Sequence, residues 1–182
     1  MILRIYTKQR ITKYLKLKDY PNAEKFYLHG LKKDSNMNYA WLNLSAAFNS
    51  QGKNTQALRA LESALKNDSK NERIYYNLTL LYNEMNNIPA AEKAFAKAVE
   101  LKSTNSRVYY NYGLLLNQSK KYAAAKTILL KGIQINPSDS ELYYAFTFQS
   151  NNKTKALQST MKLKQLDGNN PNYQQIFQSL GL

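Results

Sequence analysis

Residues 72–105 read ERIYYNLTLLYNEMNNIPAAEKAFAKAVELKSTN. Laid over 38–71 and 106–139, this stretch matches in register without a gap, at an offset of 34 residues each way. Trp41, Tyr75 and Tyr109 fall in one column, and Ala57, Ala91 and Ala125 in another. A fixed period of this size marks an array of stacked helical units, each too small to close a core of its own.

Within each unit the apolar positions recur at helical spacing, in two blocks parted by a polar turn. In the central unit they predict a first helix (A) over 74–84, a turn over 86–89 and a second helix (B) over 90–102. Pro89 stands at the entry to helix B, where a missing N–H leaves nothing unsatisfied. Small residues recur where helices must approach: Ser45, Thr79, Gly113 and Thr147 on helix A, and Ala57, Ala91, Ala125 and Ala156 on helix B. Trp41, Tyr75, Tyr109 and Tyr143, then Phe48, Tyr82 and Leu116, fill the space between, with Leu61, Phe95 and Leu129 opposite them. Ala64, Ala98 and Gly132 admit the next repeat. Large and small residues alternating at facing positions make a dense core.

This order of columns resembles the tetratricopeptide repeat: large aromatic, Leu, small, aromatic, then Ala, aromatic, Ala and a turn ending in Pro. The stretches LLKGIQINPSDSELYY and AFAKAVELKSTNSRVYY look like the family's junction from helix B to the next helix A. Three repeats match well, over 38–71, 72–105 and 106–139. Ser69 and Ser103 replace the turn proline that Pro137 supplies, and Leu116 replaces an aromatic. The resemblance implies an all-α fold, a right-handed α-α superhelix (TPR solenoid) of about five helix pairs plus a C-terminal capping helix, in one domain over 1–182.

The flanks complete the array. Residues 18–36 read as the turn and helix B of an earlier repeat (about 4–37), with Ala23, Tyr27 and Gly30 in their columns. Its helix A is degenerate, with Thr7, Arg10 and Ile11 where an aromatic, Leu and a small residue belong. Residues 140–170 form a repeat shortened by three near 150–155. After Pro171, residues 171–182 read as a capping helix with Tyr173, Ile176, Phe177 and Leu180 on one stripe.

The chemistry-bearing residues are few. Cysteine is absent, which removes disulfides, thiolate metal sites and a thiol nucleophile. The single histidine, His29, reads as a surface residue, so neither a Cys/His metal cluster nor a Ser-His-Asp set can be assembled. Asp68 and Glu72 flank a repeat junction, where a helix N-terminus accommodates negative charge. No phosphate-binding loop occurs. The expectation is a non-enzymatic protein with no catalytic residue, no metal and no cofactor.

By the resemblance, the sixth residue of each repeat faces the concave groove, which places Asn43, Asn77 and Asn111 there. Each amide offers a donor and an acceptor to a peptide backbone. Tyr76, Tyr110 and Tyr144 lie one residue earlier, Arg73 and Arg107 four residues earlier, and Leu80, Leu114 and Phe148 three residues later. Asn49, Asn83 and Asn117 continue the face. Tyr and Arg are the residues enriched at binding hot spots, and Arg holds a carboxylate through paired hydrogen bonds. The expected partner is another protein, presenting an acidic extended or helical segment. A carboxylate clamp of the kind some family members use matches only at Lys8, Asn43 and Arg73, with Thr12 and Asn77 at its other places. An enzyme-accessory or assembly subunit would differ only in the partner bound.

The net charge is +14, and residues 1–33 carry nine Lys/Arg against two Asp/Glu. There Ile2, Leu3, Ile5, Tyr6, Ile11, Tyr14 and Leu15 interleave with Arg4, Lys8, Arg10, Lys13 and Lys16, as on a basic amphipathic helix. This sets a rival reading, binding of nucleic acid or an anionic membrane, against docking of that apolar side on the repeat's own helix B. No signal peptide or membrane span is read, giving a cytoplasmic default, or a periplasmic location if the N-terminus is trimmed. The run LKQLDGNNPNYQQIFQSL looks like the tails of bacterial members of the family.

Overall fold

A computed structural model of the protein describes residues 17–148 and 153–182. The degenerate helix A of the first repeat, the basic amphipathic stretch and the clamp positions Lys8 and Thr12 lie outside the described residues, as do 149–152 in the shortened repeat. The described residues form ten α-helices and no strand: α1 Tyr20–Lys33, α2 Asn38–Asn49, α3 Asn54–Asn67, α4 Glu72–Glu84, α5 Ile88–Glu100, α6 Ser106–Gln118, α7 Tyr122–Ile135, α8 Ser140–Phe148, α9 Lys153–Asp167 and α10 Gln174–Ser179. A short 3₁₀ turn, Pro171–Tyr173, leads into α10. The chain divides into two compact units, residues 1–97 and 98–182.

The helix limits follow from local chemistry. Helix A begins earlier than the periodicity predicts, because Asn71 caps α4 by accepting from the Arg73 N–H at 3.1 Å. Asn105 does the same for Arg107 and Asp139 for Glu141, each at 3.1 Å. Helix B of the central repeat runs Ile88–Glu100 rather than 90–102. The Asn87 side chain accepts from the Ala90 N–H at 3.2 Å, drawing Pro89 into the first turn, and Lys102 leaves the helix with φ +57°. Asp68 caps no N-terminus; it closes α3, and its carboxylate accepts from the Lys70 N–H and the Asn71 amide. Among the described residues, the turns into α1, α3, α5 and α7 each pass through one left-handed residue in the same column: Lys18, Gly52, Asn86 and Lys120.

In the first unit α1 packs on α2, α2 on α3 and α4, and α3 on α4. Ala23, Tyr27, Leu44, Ala57, Leu61, Ala64 and Ile74 are essentially inaccessible. Glu24 of α1 accepts from Lys53 Nζ at 2.7 Å and from the Gln51 amide at 3.1 Å, fastening the turn before α3. The Lys53 ammonium beside it is the main reason the Glu24 carboxyl lies below the usual carboxylate range.

In the second unit α6 packs on α7 and α8, α7 on α8, and α8 on α9. Gly113 and Gly132 serve as contact points. A Cβ at Gly132 would stand 2.7 Å from Tyr109 Cβ and 2.8 Å from Leu142 Cδ2; one at Gly113 would stand 2.6 Å from Leu129 Cδ2. Ala125 is fully buried, whereas Ala156, its counterpart in the shortened repeat, is only half-buried. Thr147, Ser159 and Thr160 fill that level with hydroxyls bonded to one another and to helix carbonyls.

The C-terminal segment opens with the cap that the helix A segments use. Asn170 accepts from the Asn172 N–H at 3.1 Å, the same cap as at Asn105 and Asp139, displaced by the three-residue deletion. Tyr173, Ile176 and Phe177 are buried with Leu163, and Tyr143, Tyr144, Leu180 and Leu182 pack around them.

Candidate functional site

In the first unit the helix A face carries Asn43 on α2 and Arg73, Tyr76, Asn77 and Leu80 on α4. The Asn71 cap fixes the first turn of α4, leaving the Arg73 side chain exposed, with no acidic partner among the described residues. Asn77 turns one amide N–H back on its own helix: Nδ2 donates to the Arg73 carbonyl at 2.7 Å, one turn back. Its carbonyl oxygen and its second N–H remain for a ligand. Leu80 is 43% exposed, a large apolar surface for a helix side chain facing away from the core. Asn43 is half-buried beside the Tyr27 hydroxyl. Burial pushes that hydroxyl well above the ordinary phenol range, and the Asn43 side chain acts against the shift without reaching hydrogen-bond geometry. Asn49, further along α2, donates to the Glu84 carboxylate at 2.5 Å and so ties two repeats together.

In the second unit the face holds Arg107, Tyr110, Asn111 and Leu114 on α6 and Tyr144 and Phe148 on α8. Arg107 Nη1 pairs with the Glu141 carboxylate across one repeat, and the guanidinium lies 5.9 Å from the centroid of the Tyr110 ring. Burial is the first cause that raises the Tyr110 hydroxyl above its ordinary range; Glu141 adds to it and Arg107 opposes it. Tyr144 stacks on Tyr173 with centroids 4.8 Å apart and meets Phe148 edge-on at 4.9 Å. Leu114 is 41% and Phe148 62% exposed. Asn111 is half-buried between these groups.

Two of the expected groove residues have partners within the chain: the charge of Arg107 is matched by Glu141, and the Tyr144 ring stacks on Tyr173 of the C-terminal segment. The Glu141 partner was legible by column: Tyr39, Arg73, Arg107 and Glu141 occupy one position of successive repeats, so opposite charges stand one repeat apart only at the last pair. Tyr173 was not: with the three-residue deletion carried into the register it falls in the buried column of Ile74, Val108 and Leu142, not in that of the face. His29 is exposed as expected. Among the described residues no group of three His, Cys, Asp or Glu side chains is placed to hold a metal ion, and no helix is long and apolar enough to cross a membrane.

Sequence models of the tetratricopeptide repeat match residues 10–72, 48–100 and 106–139. Among solved structures, MamA superposes with a TM-score of 0.74 at 22% identity, over 86% of this chain and 93% of that one. PilF of Pseudomonas aeruginosa gives 0.77 at 24% identity, over 92% of this chain and 78% of that one. YrrB, described as a TPR protein with an unusual peptide-binding site, gives 0.67 at 18% identity, over 87% and 84%. These likenesses establish the fold as that of a TPR solenoid. No match is found among curated proteins.

Proposed function

From the premise that the chain belongs to the tetratricopeptide repeat family, we propose that it is a non-enzymatic interaction scaffold whose helix A faces hold a segment of a partner protein. The observation that carries this reading is the set Arg73, Asn77 and Leu80 on α4. Stacking does not require these side chains, and Arg73 and Leu80 remain exposed beside an amide oxygen that can accept from a peptide N–H. Arg73 gives the face its preference for a carboxylate. In the second unit the Arg107–Glu141 pair is close to neutral, and Leu114, Tyr110 and Phe148 favour an apolar side chain instead.

The test is a quantitative comparison of proteins retained by the immobilised intact chain and by an Arg73→Ala/Asn77→Ala variant. Partners of the α4 face are retained by the first and lost from the second, and their contact segments are enriched in Asp and Glu. An identical retained set from both would remove the assignment.

A further inference from the structure

The B helices of the fourth and fifth repeats, α7 and α9, leave a cavity of about 310 Å³ between them. Leu130 and Ile133 of α7 form one wall, Lys155, Gln158 and Ser159 of α9 the other, and Tyr143 and Phe146 of α8 line it from below. None of these residues belongs to the helix A faces described above. Leu130 is 41% exposed at the mouth.

The charge around this opening has one sign. Lys126 lies four residues before Leu130 and Lys162 four after Gln158, so helical geometry puts both on the stripes that line the cavity. α7 holds no acidic residue, and α9 holds four lysines against one acid, Asp167. That carboxylate accepts from the Asn170 amide at 2.8 Å. An apolar pit with lysines along both rims selects a ligand that is apolar in the middle and anionic on its flanks.

The homologous place in the first unit is different. Leu28, Trp41, Leu44, Arg59 and Ala60 stand three repeats upstream in the same columns and line a cavity of about 190 Å³. There α1 and α3 carry Glu24 and Glu62 among their basic residues. Of these two cavities the one between α7 and α9 is the larger, and its two B helices carry no acidic residue before Asp167.

We propose that the groove between α7 and α9 is a second docking surface, for an acidic amphipathic helix of a partner protein. Two neighbouring helices accept a third along the furrow between them. One apolar side chain of the ligand enters between Leu130 and Gln158, and carboxylates three and four residues away reach Lys126 and Lys162. A pocket at the low end of the roughly 300–1,000 Å³ range of small-molecule sites, and open to solvent, suits a side chain better than a whole ligand.

The test uses the intact chain and a fluorescent helical peptide with Leu at every third and fourth position and Glu elsewhere. Binding is expected to fall at least tenfold with Leu130→Asp and with Lys126→Glu, and to weaken as salt is raised. Every variant is made in the Arg73→Ala/Asn77→Ala background, which removes binding at the α4 face, so that a loss on Leu130→Asp reads this surface alone; Leu28→Asp, in the homologous groove, is expected to leave binding unchanged. Melting curves of each variant check that the fold persists, and Leu130→Ala serves if the aspartate unfolds the chain. The proposal fails if the peptide does not bind, or if binding is indifferent to Leu130. It also fails if phosphatidylserine vesicles bind through Leu130 while the peptide does not, since the groove would then take lipid.

Discussion

The Tyr109 hydroxyl donates to the backbone carbonyl of Ser103, six residues earlier, at 2.8 Å. Trp41 Nε1 makes the same bond to Ser35 at 2.8 Å, and the Tyr75 hydroxyl to Ser69 at 3.0 Å. The aromatic at the fourth position of each of these helix A segments thus does two things: its ring packs between helices, and its polar tip closes the turn that leads into it. A serine stands at the turn in all three cases, and its carbonyl is the acceptor. Tyr109 is 3% exposed, so Tyr109→Phe is expected to destabilise the chain by about 1 kcal/mol, the ordinary net value of a buried hydrogen bond. Tyr75→Phe, on a half-exposed ring, is expected to lose less. Urea denaturation of the two variants checks the order.

Glycines separate packing from propensity. Alanine is the better helix former by roughly 1 kcal/mol. Gly30→Ala meets only Met37 Cε at 3.5 Å, an ordinary contact, and is expected to stabilise by about that amount. Gly132→Ala forces a methyl group against Tyr109 and Leu142 and is expected to lower stability, since overpacking costs roughly 1–3 kcal/mol. Gly52→Ala meets no atom, yet φ is +71°, so a loss of about 1 kcal/mol is expected from the backbone alone. Equal and same-signed shifts at all three sites would contradict this account.

Tyr27 is 1% exposed, and its hydroxyl has no hydrogen-bond partner among the described residues. Tyr27→Phe is therefore expected to raise stability at neutral pH, by up to about 1 kcal/mol. Burial also raises the folded-state pKa of this phenol, so its neutral form is the one the fold favours. The associated stability is complete below the ordinary phenol value of about 10 and declines as pH rises beyond it. Removing the hydroxyl should flatten that alkaline decline. Denaturation at pH 7 and at pH 11 reads both effects.

The Arg107–Glu141 pair is solvent-exposed on both sides, so Glu141→Gln is expected to change stability by less than about 1 kcal/mol. Its effect belongs to binding. Freed from its carboxylate, Arg107 should raise affinity for a Glu-rich peptide on the second unit by roughly two- to fivefold, the equivalent of that same energy. Arg107→Ala should not. Titration of the labelled peptide against both variants settles the direction.

Most of the fold was legible because it rests on a repeated local rule. Asn71, Asn105 and Asp139 cap helix A in register, and Ala23, Ala57, Ala91 and Ala125 are buried as their columns require. The errors were at helix starts: an Asn side chain capping two residues early moves a boundary without altering the apolar period. The candidate face was legible only in part. Periodicity put Arg107, Tyr110 and Tyr144 on one side of their helices, but it did not say what lies across from them.

By itself, then, the sequence determined the period, the helix pairs, the small and large columns and the absence of a thiol or a histidine cluster. These are properties of one chain segment or of its 34-residue repetition. The tertiary structure decided which of the exposed groups are already engaged: Arg107 by Glu141, Tyr144 by Tyr173, and one N–H of Asn77 by its own helix. It also decided that the cavity between α7 and α9 stays open. Such outcomes depend on distances between side chains of different helices, and a distance of a few ångströms separates a matched charge from one offered to a partner.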